Sequence, residues 1–238
     1  MGEHWQYAGS GEYIPQDQFE ENFDPSVLLA ETHLLSELTW GGRPYKHWYE
    51  NTEHCHAEIH FLENFSSKNR SCTITWYLSW SPCAECSARI ADFMQENTNV
   101  KLNIHVARLY LHDDEHTRQG LRYLMKMKRV TIQVMTIPDY TYCWNTFLED
   151  DGEDESDDYG GYAGVHEDED ESDDDDYLPT HFAPWIMLYS LELSCILQGF
   201  APCLKIIQGN HMSPTFQLHV QDQEQKRLLE PANPWGAD

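Results

Sequence analysis

The sequence predicts an α/β layered fold, with helices packed on a sheet that contains parallel strand pairs. Three observations carry this expectation. The run Cys72–Trp80, CTITWYLSW, is rich in β-branched and aromatic residues and holds no breaker, which is the composition of a buried strand. Leu102, Ile104 and Val106 alternate with Asn103 and His105, and Val130, Ile132 and Val134 alternate with Thr131 and Gln133, giving two further strands of period two. Helical segments separate the three, and strands alternating with helices of this length favour parallel pairing.

The helices follow in order. Residues 56–65 form one ahead of the first strand, residues 83–96 one ahead of the second, and HTRQGLRYLMKMK, residues 116–128, one ahead of the third. Residues 139–148 suggest another. Pro184 then opens a last helix that Gly199 closes, the favoured punctuation of proline at the first position and glycine past the end.

An acidic run lies between those last two helices. The chain carries 15 Lys+Arg against 41 Asp+Glu, a formal charge of −26 over 238 residues. As an average this argues against a bare nucleic-acid or membrane-surface binder. Residues 149–176, however, hold 17 acids and no Lys or Arg, so the rest of the chain carries only −9. Such a run cannot bury enough apolar surface to offset ordering, and disorder is expected there. Seven cysteines are too few and too odd in number for a disulfide framework, so reduced cysteines in an intracellular protein are expected. No signal peptide is read at the N-terminus, Gly2 lacks the Ser or Thr of a myristoylation motif, and the longest apolar stretch, residues 182–197, falls short of the roughly 20 residues a membrane span requires.

The chemistry concentrates in His56-Ala57-Glu58 and Pro82-Cys83-Ala84-Glu85-Cys86. One imidazole and two thiolates suit Zn²⁺, and three protein ligands leave a fourth tetrahedral position open, as catalytic sites do. Cys83 and Cys86, three apart at the start of a helix, share a face, and the helix N-terminus favours the thiolate. Glu58, two positions past the histidine, is left to take a proton from the activated water and deliver it to the ring nitrogen and the leaving amine. The combination is the signature of zinc-dependent nucleobase deaminases. Each half alone has a plainer reading: Cys-x-x-Cys also makes structural zinc half-sites, and His-x-Glu is common. A metalloprotease is excluded because Ala57 stands where that motif needs Glu between His56 and His60. His54 and Cys55 are read as scaffold.

At these residues the sequence resembles the AID/APOBEC polynucleotide cytidine deaminases, along most of the chain: FDPSVLLAETHLLSELTW, HAEIHFLENF, TWYLSWSPCAEC, VARLYLHDDEHTRQGLRYL, VTIQVM and YCWNTFLED. Phe182-Ala183-Pro184-Trp185 looks like the element that opens the family's next helix. The continuation WIMLYSLELSCILQGFAPCLKI is most similar to the branch containing the apolipoprotein B messenger RNA editor, which has a hydrophobic C-terminal extension. The acidic run departs from that pattern.

The resemblance implies a cytidine deaminase-like fold, a five-stranded mixed sheet flanked by about six helices, and one zinc per chain. It divides the chain into an N-terminal segment, 1–24, a deaminase domain, 25–209, whose acidic insertion spans 149–181, and an extension, 210–238. His56, Cys83 and Cys86 match the metal ligands and Glu58 the proton shuttle; Trp80 and Ser81 match residues of the cytosine pocket, and Tyr110 an aromatic that packs on the base. Core aromatics are the competing reading of Trp80 and Tyr110. Arg118, Arg122, Lys126 and Arg129 recur at three- and four-residue spacing, with Lys128 beside them, as a stripe for phosphates or as a solvated helix face.

The function expected is therefore hydrolytic deamination of cytosine in single-stranded RNA or DNA. A free cytidine deaminase and a catalytically silent, zinc-stabilised scaffold are the alternatives. Phe216, Leu218 and Val220 alternate in the tail and suit an added strand or a subunit contact. A homodimer or an RNA-binding cofactor protein is the expected partner, no membrane is, and the expected location is cytoplasm and nucleus.

Overall fold

In the computed structural model the described residues are 10–29, 31–40, 44–52, 55–65, 71–148 and 180–203. The chain enters through a two-residue strand β1 (Ser10–Gly11) and helix α1 (Gln16–Phe23), then makes β2 (His33–Thr39) and β3 (Tyr45–Glu50). Helix α2 (Ala57–Asn64) leads to β4 (Cys72–Trp80), α3 (Ala84–Glu96) to β5 (Val100–Arg108), and α4 (Glu115–Lys126) to β6 (Val130–Val134). Helix α5 (Ile137–Phe147) follows, and α6 (Ala183–Gln198) comes after a single 3-10 turn at Thr180–Phe182.

The strands lie in the order β1-β3-β2-β4-β5-β6. β4, β5 and β6 run parallel, as α3 and α4 between them require. β2 joins β4 antiparallel and forms a hairpin with β3, so the sheet is mixed. The five strands and six helices expected are present, with the short β1 added on the edge of β3.

Both faces of the sheet are covered, which is why β4 reads as continuous apolar residues. Ile74, Trp76 and Leu78 meet Phe61 of α2, Ile90 of α3, Leu121 of α4 and Ile196 of α6 on one face. Tyr77 and Leu35 meet Phe19 and Phe23 of α1, Tyr140 and Phe147 of α5 and Phe182 on the other. The expected boundary at 24/25 does not part an outer segment from the domain, because Ile14, Phe19 and Phe23 are wholly buried in that second cluster. Each such side chain contributes about 1.5–3 kcal/mol by burial.

Helices α3 and α4 touch at Gly120, where an added Cβ would stand 2.8 Å from the Ser87 Cβ. The approach sets the helix that carries the Cys-x-x-Cys motif. Asp114 caps α4 by accepting from the Thr117 N–H at 2.8 Å, and Gly199 closes α6 at φ 72°. Beyond it Cys203 is joined to Cys195 in a disulfide. This corrects the expectation that every cysteine is reduced: the turn at Gly199 folds the chain back onto the last turns of α6, a pairing that cysteine counting does not reveal. The other five cysteines are free thiols. The acidic run and the Phe216, Leu218, Val220 alternation lie outside the described residues, and among those described no helix is long and apolar enough to cross a membrane.

His33, at the start of β2, is buried against Trp48, with rings 5.9 Å apart, and its Nε2 lies 3.6 Å from Glu50. Burial, reinforced by the Arg108 charge, lowers its pKa to about 4, so the imidazole is neutral beside that carboxylate. An unfolded histidine titrates near 6.5. Between these values the unfolded chain binds the extra proton, so this contribution to stability is complete above about pH 6.5 and is lost as pH falls toward 4, by up to about 3 kcal/mol. Urea unfolding from pH 7 to 4 should show a shallower loss for His33→Gln than for the natural chain. Parallel curves would refute the assignment.

Candidate active site

The site sits at the carboxyl ends of the parallel strands β4 and β5, where α/β sheets open a crevice. Extended backbone at His56 (ψ 151°) and at Cys83 (ψ 175°) starts α2 and α3, so both residues occupy N-cap positions, and Cys86 lies in the first turn of α3. Asn51, which sequence reasoning missed, accepts from the Ala57 N–H at 2.9 Å and secures the start of α2 next to His56.

His56 Nδ1 lies 3.1 Å from Cys86 Sγ and 3.7 Å from Cys83 Sγ, and the three ligand atoms fall within 4.8 Å of one another. Tetrahedral zinc with its usual bond lengths separates such atoms by about 3.6 Å, so the donor set and its spacing fit that ion. A hydrogen bond from Cys86, together with His56, holds the Cys83 thiol well below its usual range, while the same bond and burial push Cys86 up. His56 is raised to about 9, chiefly by its hydrogen bond to the Cys83 thiolate. Glu58, 3 % exposed in the first turn of α2, contacts Cys86; burial first and the Cys83 thiolate second raise its carboxyl to about 7.

Trp80, Ser81 and Tyr110 gather beside this cluster. Ser81 Oγ accepts from the Tyr110 N–H at 3.0 Å, and the Trp80 and Tyr110 rings meet edge to face at 6.3 Å. The Trp80 indole N–H donates to the Leu29 carbonyl at 3.0 Å. Both Trp80 and Ser81 are buried, whereas Tyr110 is half-exposed.

Comparisons with known proteins bear on this arrangement. A sequence model of the APOBEC4-like AID/APOBEC deaminase family matches residues 22–150. The C->U-editing enzyme APOBEC-1 of Mus musculus is 41 % identical over 210 residues, covering 85 % of this chain and 82 % of its own length. That of Monodelphis domestica is 41 % identical over 213 residues, with 86 % and 81 % covered. That of Homo sapiens is 37 % identical over 214 residues, with 86 % and 81 % covered. The chain belongs to the AID/APOBEC deaminase family.

Within this AID/APOBEC chain the expected phosphate stripe needs correcting. Arg118 is 1 % exposed and bonded to Glu192 and to the carbonyls of His112 and Phe200. Arg129 spans the carbonyls of Met94, Asn97 and Val100, closing the α3–β5 connection. Arg122 is half-buried, paired with Glu115 and bonded to the Ile196 carbonyl. Arg118 turns its donors inward because α4 packs on α3, β6 and α6, Arg129 is taken up beyond the end of α4, and Arg122 divides its donors between the exposed Glu115 and the Ile196 carbonyl. Lys126 and Lys128 are the exposed members.

Sequence reasoning also passed over the structural role of Arg108. Its guanidinium, wholly buried, lies 4.5 Å from the Trp80 ring centroid. It donates to the carbonyls of Ser79, Asp24, Val27 and Asn22, so the segment after α1 is held over the strand end that bears Trp80. Its one sequence signal was its place next to the Leu109-Tyr110 pair.

Proposed function

We propose that this chain catalyses hydrolytic deamination of cytosine to uracil in a single-stranded polynucleotide, consuming one water and releasing ammonia. The observation that carries the reading is the buried Glu58 carboxyl against the converging His56, Cys83 and Cys86 side chains. His56, Cys83 and Cys86 would hold a Zn²⁺ ion, which when bound would supply Lewis-acid activation of the attacking water. Glu58 takes one proton from the attacking water and gives it to the pyrimidine N3, then takes the second from the new C4 hydroxyl and gives it to the amine, which leaves as ammonia as the C4 carbonyl forms.

A base must leave its stack to enter such a pocket, and aromatic faces receive it. Trp80 and Ser81 form the pocket wall in this reading, and Tyr110 is its more accessible ring. Phosphate contact falls to Lys126, with Lys128 beside it, so affinity is modest and salt-sensitive. The C→U-editing function named for the relatives supports the same chemistry. The reading places the chain in cytoplasm and nucleus, with a second copy or an RNA-binding protein as partner.

Uracil formation is measured on RNA and DNA oligonucleotides and on free cytidine. Turnover on oligonucleotides alone is expected. Turnover on cytidine alone would identify a nucleoside enzyme, and neither, with zinc bound, a scaffold.

A further inference from the structure

A buried ion pair ties the loop beside the site to the turn that follows α6. Arg118 Nη1 lies 2.5 Å from Glu192 Oε1, and Glu192 is wholly buried. The same guanidinium donates to the His112 carbonyl at 2.6 Å and to the Phe200 carbonyl. The second oxygen of Glu192 accepts from the Cys203 N–H at 2.6 Å. One cation and one anion, on two helices, thus grip residue 112 on one side and residues 200 and 203 on the other.

The gripped loop, residues 109–114, carries Tyr110, whose backbone is bound to Ser81 and whose ring meets Trp80. It also holds Leu111 at φ 38°, in the left-handed region that a branched side chain adopts only when its surroundings enforce it. Packing alone does not account for charge here, since a buried ion pair can often be exchanged for apolar residues without loss of stability. What apolar residues cannot supply is the set of directed bonds to three backbone groups.

We propose that Arg118 and Glu192 are a positioning pair that fixes the 109–114 loop and makes the choice of nucleotides flanking the target base answer to the turn at 199–203. The flanking-base part rests on the polynucleotide deaminase reading; the coupling of loop to turn does not.

The test uses the full chain carrying Glu192→Gln, and separately the apolar double replacement Arg118→Met with Glu192→Leu, which guards against a folding failure of the first. Amide hydrogen exchange without substrate should rise about tenfold or more across residues 109–114 in both, with β4 and β5 unchanged. On oligonucleotides differing only in the base 5′ of the cytosine, the ratio of deamination rates should shift several-fold. Unchanged exchange in the loop overturns the proposal, as does a uniform fall in rate that leaves the ratios intact. Should the natural chain deaminate no oligonucleotide, the function reading fails by itself and loop exchange alone decides the coupling.

Discussion

Glu58→Gln is expected to reduce deamination by at least about 10²–10⁴-fold while the protein retains about one zinc per chain. Glutamine has nearly the shape of the natural side chain, so the first turn of α2 and the neighbouring ligands are undisturbed. It has no carboxylate to accept a proton from water and no acidic proton to return. The metal is expected to stay because the residues that would hold it, His56 at the cap of α2, Cys83 at the cap of α3 and Cys86 in its first turn, do not change. Zinc content by atomic absorption and uracil formation on an oligonucleotide separate the two effects. Activity near the natural level in zinc-replete E58Q protein would sink the assigned role.

Arg108→Met should produce the largest loss of stability among single changes near the site. Four backbone carbonyls lose their donor and Trp80 loses the cation on its face. An unsatisfied buried carbonyl costs about 1–3 kcal/mol. The freed groups will partly find water as the segment after α1 loosens, so a net loss of about 3 kcal/mol or more is expected, or roughly 10 °C in melting temperature for a domain of this size. Arg108→Lys keeps the charge but cannot fan its donors to four acceptors, so it should restore only a fraction. Thermal unfolding followed by tryptophan fluorescence measures both. A methionine variant within about 1 kcal/mol of the natural chain would show that these bonds are replaceable by solvent.

The strands legible from sequence are those whose neighbours are fixed by the chain's own α/β alternation. β4, β5 and β6 were each read from apolar runs or period two, and α3 and α4 from the stretches between them. β2 and β3 were not. In β2, Leu34 and Leu35 are adjacent yet face opposite clusters, so a strand buried on both sides shows no period. β3, YKHWYE, covered on its outer side only by the two residues of β1, buries mainly Trp48 and reads as polar. The metal-fitting triad was legible because both motifs begin helices, where local sequence places side chains. The fates of Arg108, Arg118 and Arg129 were not, because most of their carbonyl acceptors lie 29 to 86 residues away, and spacing along a helix cannot tell a solvent-facing stripe from one turned against a neighbouring helix.

The acidic run is spliced into the fold at two neighbouring anchors. Leu148 bridges to Ile14, and Phe182 packs 4.8 Å from Tyr140, both in the cluster on the α1 and α5 side of the sheet. The entropy of closing a loop grows only logarithmically, by about 0.6 kcal/mol for each doubling of its length. The run can therefore be lengthened, shortened or recharged at almost no cost to folding. The charge of −17 that it adds is a dial on the protein's long-range field, adjustable without touching His56, Glu58, Cys83 or Cys86.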